Sequence, residues 1–234
     1  MRALGNAAID LLFPPRCVGC HRLGAWFCTT CQSQIKVIEP PSCQQCGLPI
    51  NGHGAPHHCA KRQKGSSPLN GLCAYAFHSG PLRQAIHALK YEDLQTLAAP
   101  LGLLMAQGWA ALQPQDPTID VIVPVPLHSS RQRDRGYNQA ALLAREVGIH
   151  LDLPVAENAL IRIKDTAPQI DLNAEERQAN VHDAFQMVNT SLAEKRVLLI
   201  DDVCTTGSTL EAACRALRDG GVSFVWAYTL ARAR

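Results

Sequence analysis

The chain has 234 residues, 47% of them apolar, and a formal net charge of +2. That length fits one moderate domain plus a small one, and the apolar content excludes a chain too polar to bury a core. The charge is uneven, with seven Lys/Arg against two Asp/Glu in residues 1–70, and reads as a solvated basic surface rather than as a nucleic-acid-binding tail.

Residues 1–15 read as one amphipathic helix stopped by Pro14-Pro15. Asp10 interrupts its short apolar segment, so it is not a secretory signal. The most apolar later window, Leu97 to Leu112, contains Pro100 and Gln107 and falls short of a membrane span. A cytoplasmic protein is therefore expected, where Cys-x-x-Cys pairs bind metal rather than form disulfides. Such pairs occur at Cys17/Cys20, Cys28/Cys31 and Cys43/Cys46, followed by a single Cys59. Two such knuckles complete a tetrahedron around zinc. Cys17, Cys20, Cys28 and Cys31 suffice for one structural site. Cys43, Cys46 and Cys59 form a second site short of one ligand, for which His58 or His57 is the expected donor. An interleaved pairing of Cys17/Cys20 with Cys43/Cys46 is the alternative. The segment has little core of its own, so Trp26 and Phe27 are its expected packing residues and zinc supplies most of its folding energy.

A polar stretch, Lys61 to Pro68, reads as a linker between residues 1–66 and a domain over residues 70–234. Strand Leu72 to His78 comes next, then a helix over Pro81 to Tyr91 with proline in its first turn. A second helix follows over Leu94 to Leu112. The β-branched run Ile119 to Pro126 is a buried parallel strand. After it, Leu127 to Gln139 reads as a loop with Arg131, Arg133 and Arg135. Guanidinium groups at a strand end suit diphosphate oxygens. Lys90, Leu127, His128 and Arg135 are the candidates for that role. A helix over Asn138 to Val147 returns the chain. Asn158 to Ile163 and Ala184 to Val188 are further strands. Between them, the long polar stretch Lys164 to Asn180 is a candidate lid.

The most informative stretch is Val197 to Leu210. Four apolar residues form a buried strand, Asp201 and Asp202 lie at its carboxyl end, and a turn of hydroxyls and glycine leads into a helix. That helix buries Leu210, Ala213, Cys214 and Leu217. Open α/β sheets bind ligands at the carboxyl ends of their strands, and a helix N-terminus suits phosphate. Adjacent carboxylates repel unless a ligand or cation uses them. The pattern points to a phosphorylated ribose held by strand, turn and helix, with the acidic pair accepting from a sugar diol. A last strand over Val222 to Leu230 follows Gly220-Gly221, with Arg232 and Arg234 decorating the end.

Asp-Asp-Val-Cys-Thr-Thr-Gly-Ser-Thr resembles the phosphoribosyl pyrophosphate (PRPP) motif of type I phosphoribosyltransferases. Joined to Val-Pro-Val-Pro-Leu at 123–127, Arg-Gly-Tyr-Asn-Gln at 135–139, Leu-Lys-Tyr at 89–91 and the cysteine pairs in front, the chain resembles the ComF family. The resemblance implies an α/β fold: a type I phosphoribosyltransferase-like parallel sheet flanked by helices, behind a double zinc ribbon. It implies PRPP with Mg²⁺ as ligand, its ribose hydroxyls on Asp201 and Asp202 and its 5′-phosphate on Cys204, Thr205, Thr206, Gly207, Ser208 and Thr209, and a place in natural competence, with single-stranded DNA or competence and recombination proteins as partners. Arg62 stands where the family carries the partner of Cys59, which hands the last ligand position to a histidine or leaves it unfilled. An active transferase on an unknown acceptor, and a ribbon docking protein with a relic site, are the alternatives.

Overall fold

A computed structural model describes residues 14–52, 55–56, 59, 67–112, 118–164 and 183–233. The N-terminal helix, most of the 61–68 linker, His53, His57, His58, Arg62 and the 165–182 part of the expected lid lie outside the described residues.

The N-terminal module holds helix α1 (Thr29–Gln32) and a small antiparallel pair, β1 (Asn51–Gly52) with β2 (Ala55–Pro56). Then come β3 (Gly71–Phe77), α2 (Gly80–Tyr91), α3 (Ala98–Leu112), β4 (Val121–Pro124), α4 (Ser129–Arg135) and α5 (Gln139–Leu151). The chain continues with β5 (Leu160–Arg162), β6 (Phe185–Met187), β7 (Arg196–Cys204), α6 (Ser208–Asp219) and β8 (Phe224–Arg232).

The central sheet has the order β3-β8-β7-β4, with every neighbouring pair parallel. Its strands are apolar on both faces, as a sheet covered on both sides requires. The period of two is plain in β7. Leu198 and Ile200 join one core cluster with Tyr228, Met105 and Leu143, whereas Val197 and Leu199 join the other with Val225, Leu210 and Leu217. The first cluster is covered by α2, α3 and α5, the second by α6 and the separate hairpin β5-β6. Ala184–Val188, expected in the main sheet or at its edge, pairs instead with β5 alone.

The metal module is built onto this sheet. The amide of Ile38 donates to the Tyr75 carbonyl at 2.9 Å, the Phe77 amide to Lys36 O at 2.9 Å, and the Leu72 amide to Gln44 O at 2.8 Å. Residues 36–44 thus occupy the open edge of β3, an edge that would otherwise invite intermolecular pairing. Phe27 is buried and Trp26 partly so, and both pack against the cluster containing Leu82 and Leu101 rather than into a core of the ribbon's own.

Leu127 to Gln139, expected as a basic loop, contains helix α4. The His128 ring caps it by accepting from the Ser130 amide at 3.3 Å, and Gly136 ends it at φ +81°. The arginines are therefore presented from a short helix, which sets their spacing. Among the described residues, no helix is long and apolar enough to cross a membrane.

Candidate functional site

Strand β7 delivers Asp201 and Asp202 to the carboxyl edge of the sheet, and the pleat sends them to opposite sides. Asp201 is half-buried, whereas Asp202 is 3% exposed. The Lys90 ammonium meets Asp202 Oδ2 as an ion pair, and Gln139 Nε2 donates to Asp202 Oδ1 at 3.3 Å. Burial by itself would push the Asp202 carboxyl up. Lys90, aided by Asp201 and Gln139, more than reverses that and holds it below the usual carboxylate range. Asp201 moves the opposite way: burial first, then the Asp202 charge, raise its pKa well above the ordinary value. The two adjacent carboxylates thus differ sharply. Lys90 pairs with Asp202, while Asp201 stays half-buried and accepts from the Asp202 amide at 2.8 Å.

The residues that place Lys90 come from the Arg-Gly-Tyr-Asn-Gln run. The Tyr137 hydroxyl donates to the Leu89 carbonyl at 2.5 Å, pinning the last turn of α2. Asn138 caps α5 by accepting from the Ala140 amide at 3.0 Å and donates to Val125 O at 3.0 Å, tying that cap to the end of the β4 segment. The Arg135 guanidinium donates to the Gln139 side chain and lies 5.2 Å from the Tyr91 ring centre. Lys90, Tyr91, Asp93, Arg131, Asp134, Arg135 and Tyr137 line a cleft of about 560 Å³, which meets the Asp201–Asp202 pair through Lys90. Lys90 and Arg135 are brought together there. His128 and Leu127 are partly buried; His128 is occupied in capping, with Nδ1 2.8 Å from Ser130 Oγ. His78, which had no place in the sequence argument, lies in the electrostatic reach of Lys90 and Asp202. Burial, then Lys90 and Arg83, lower its pKa.

Beyond Asp202, the turn runs through Cys204, Thr205 and Thr206 to Gly207, whose φ of +83° is open to glycine at little cost. Thr206 Oγ1 accepts from the Ser208 amide at 3.3 Å and lies 2.9 Å from Ser208 Oγ. Ser208 and Thr209 open the twelve-residue helix α6, so first-turn amides lacking helical partners sit at the sheet edge. Cys204 is buried, and its side chain belongs to the core rather than to the turn's surface.

The cysteines separate into two clusters. The thiols of Cys17, Cys20, Cys28 and Cys31 all lie within 4.8 Å of one another, as do those of Cys43, Cys46 and Cys59. The knuckles therefore associate in sequence order, and the interleaved arrangement is not formed. At Cys17, burial opposes ionisation, but the amides of Cys28, Cys20 and Gly19 outweigh it and bring the thiol to about 6; the Cys28 amide is 3.4 Å from its sulfur. Burial pushes Cys46 up to about 12. A thiolate held by amides beside three more converging thiols fits a soft divalent cation, and the all-sulfur set marks the site as structural.

Residues 8–61 match the double zinc ribbon domain family and residues 134–234 the phosphoribosyl transferase domain family. Over 228 residues the chain is 34% identical to competence protein F of Haemophilus influenzae, covering 93% of this chain and 97% of the relative. It belongs to the ComF family. The Escherichia coli K12 relative, DNA utilization protein YhgH, is 31% identical over 217 residues, covering 90% of this chain and 92% of that one. Competence protein ComFC of Bacillus subtilis 168 is 27% identical over 209 residues, covering 88% and 83%.

This ComF chain is thus a zinc-binding protein with a phosphoribosyltransferase-like fold. Its second cluster contributes three sulfurs among the described residues. Metal analysis is expected to give two equivalents of zinc for the natural chain and one for Cys59→Ser, because two thiols hold zinc poorly. One equivalent in both proteins would show that Cys43, Cys46 and Cys59 do not retain metal.

Proposed function

We propose that this ComF protein binds PRPP, or a related phosphoribosyl nucleotide, with Mg²⁺ at the carboxyl end of β7. We further propose that it serves natural competence in the cytoplasm, in the uptake and processing of single-stranded DNA. The observation that carries the ligand is the pairing of a half-exposed carboxylate, Asp201, with a glycine-hinged turn and a helix start on the same strand. The turn from Cys204 to Thr209 would cradle the 5′-phosphate, and Asp201 would take the ribose hydroxyls. Lys90 and Asp202 would hold the floor between them. Mg²⁺ on the diphosphate would neutralise the leaving group, and Lys90, Arg131 and Arg135, with Asp93 and Asp134 among them, line the cleft that would take it. The competence role is supported by the relatives, two of which are competence proteins and one a DNA utilization protein. Its protein partners would be those that handle the incoming strand. Residues 1–66 form the ribbon module in this reading and residues 70–234 the ligand domain.

Turnover to an acceptor is the second reading, favoured by the cleft that Lys90 lines. Calorimetric titration with Mg²⁺ and PRPP tests the ligand. The natural chain is expected to bind, and Gly207→Val to lose binding, since a β-branched residue at φ +83° must rebuild the turn. Equal heats for both would overturn the site. Pyrophosphate release on adding free bases or single-stranded DNA would establish transfer.

A further inference from the structure

Arg232 is the last residue of β8 and is 7% exposed. Its guanidinium joins two regions far apart in sequence. Nε donates to the Cys46 carbonyl at 2.7 Å. Nη1 donates to the carbonyls of Cys204 at 3.0 Å and Ala233 at 2.8 Å, and to that of Thr205. Cys46 belongs to the second cysteine cluster, and Cys204 and Thr205 open the phosphate turn. Among the described residues, the acceptors of this buried cation are all backbone carbonyls. Among the described residues no carboxylate accepts from it, and it lies beneath a turn suited to an anion.

The guanidinium is planar and its donors form a rigid fork. A shift of the Cys46 carbonyl must move the fork or break a buried bond, and either change reaches Cys204 and Thr205. The knuckle's other anchor, Gln44 O to the Leu72 amide at 2.8 Å, fixes it on β3. A cation bound by Cys43, Cys46 and Cys59 then orients the Cys46 end of a knuckle whose other end is held.

We infer that Arg232 is a positioning residue through which the Cys43–Cys46–Cys59 site sets the shape and anion affinity of the turn Cys204–Thr209. The inference rests on the phosphate-binding reading of that turn. The link is reciprocal, so a ligand on the turn tightens zinc at the second cluster by the same factor that zinc tightens the ligand.

The test uses the full zinc-loaded chain, Cys59→Ser, Arg232→Lys and the double variant. A lysine ammonium reaches one side of the link and not both. Amide hydrogen exchange over residues 204–210 needs no ligand. Cys59→Ser is expected to speed it about ten-fold, and to add nothing in the Arg232→Lys background, where the link is already cut. Affinity for Mg²⁺–PRPP is expected to fall about ten-fold in each single variant, and no further in the double. Multiplying losses in the double variant would overturn the link. So would unchanged exchange in Cys59→Ser once metal analysis shows the second zinc gone. If Cys59→Ser does not fold or keeps both metals, one equivalent of zinc is drawn from the natural chain and from Arg232→Lys with a chelator. The same contrast in exchange decides the outcome. A natural chain that does not bind Mg²⁺–PRPP would overturn the proposed function, while the exchange data would still decide the link.

Discussion

Lys90→Met is expected to lower the unfolding free energy by about 3–5 kcal/mol at neutral pH, the usual cost of removing one partner of a buried ion pair. Asp202 is 3% exposed, and its other side-chain partners are the neutral Gln139 amide at 3.3 Å and the neighbouring Asp201. Without the ammonium, a buried carboxylate would face a second carboxylate at the next residue. Replacing both partners, as Lys90→Met with Asp202→Leu, should recover most of the loss, because no charge then stays buried. The pH dependence has a definite sign. Burial raises the Asp202 pKa but Lys90 overcomes it, so the folded value lies below the unfolded one of about 3.9. Its stabilisation is present above that unfolded value and is lost as pH falls through the folded one. The deficit of Lys90→Met should therefore be widest where the orphaned carboxyl is ionised and shrink as pH falls, because burial without Lys90 makes that carboxyl take its proton above the unfolded value. Urea unfolding across that range measures it. Equal midpoints at pH 7 would show that the pair contributes nothing.

The periodic apolar runs made the sheet legible. Val197–Ile200, Ile119–Pro126 and Leu72–His78 each carry a buried strand, and the α6 face Leu210, Ala213, Cys214 and Leu217 is buried as expected. Such patterns are local, and local spacing reports which face is covered. What covers it is a long-range fact. Repulsion between Asp201 and Asp202 called for a ligand or a cation, and the cation is Lys90, 112 positions earlier. Pairing at that distance leaves no periodic trace. In sequence Arg232 reads as a decoration, because a lone charge after a strand is ordinarily solvated. A signal was present: it follows a strand apolar but for Thr229, where a charge must find buried acceptors. The helix over Ser129–Arg135 was missed because seven residues dense in arginine show no apolar stripe. The cap supplied by His128 falls outside the residue types that announce helix starts.

Asp201→Asn is expected to weaken Mg²⁺–PRPP binding by about 10- to 150-fold, the loss of a hydrogen bond to a charged group worth about 1.5–3 kcal/mol. The same change should make the free protein more stable at neutral pH. Burial and the neighbouring Asp202 charge raise the folded pKa of Asp201 above its unfolded value. A carboxyl shifted in that direction contributes stability below the unfolded pKa of about 3.9 and loses it as pH rises through the folded value. Asparagine does not ionise, so its advantage should grow with pH over that window and vanish below it. Binding has its own proton signature. A sugar diol donates two hydrogen bonds and favours the ionised carboxylate, and Mg²⁺ nearby favours it further. Ligand binding should then release a proton at pH values below the folded pKa, visible as a calorimetric heat that varies with the ionisation enthalpy of the buffer. In Asp201→Asn that variation should disappear along with the affinity. A variant that gains stability and keeps full affinity would remove Asp201 from the site. One that loses affinity and stability together would mean the carboxylate braces the turn instead of meeting the ligand. The expected combination, weaker binding with a firmer fold, is what a carboxylate held ready for a ligand produces: its ionisation is opposed until the ligand arrives.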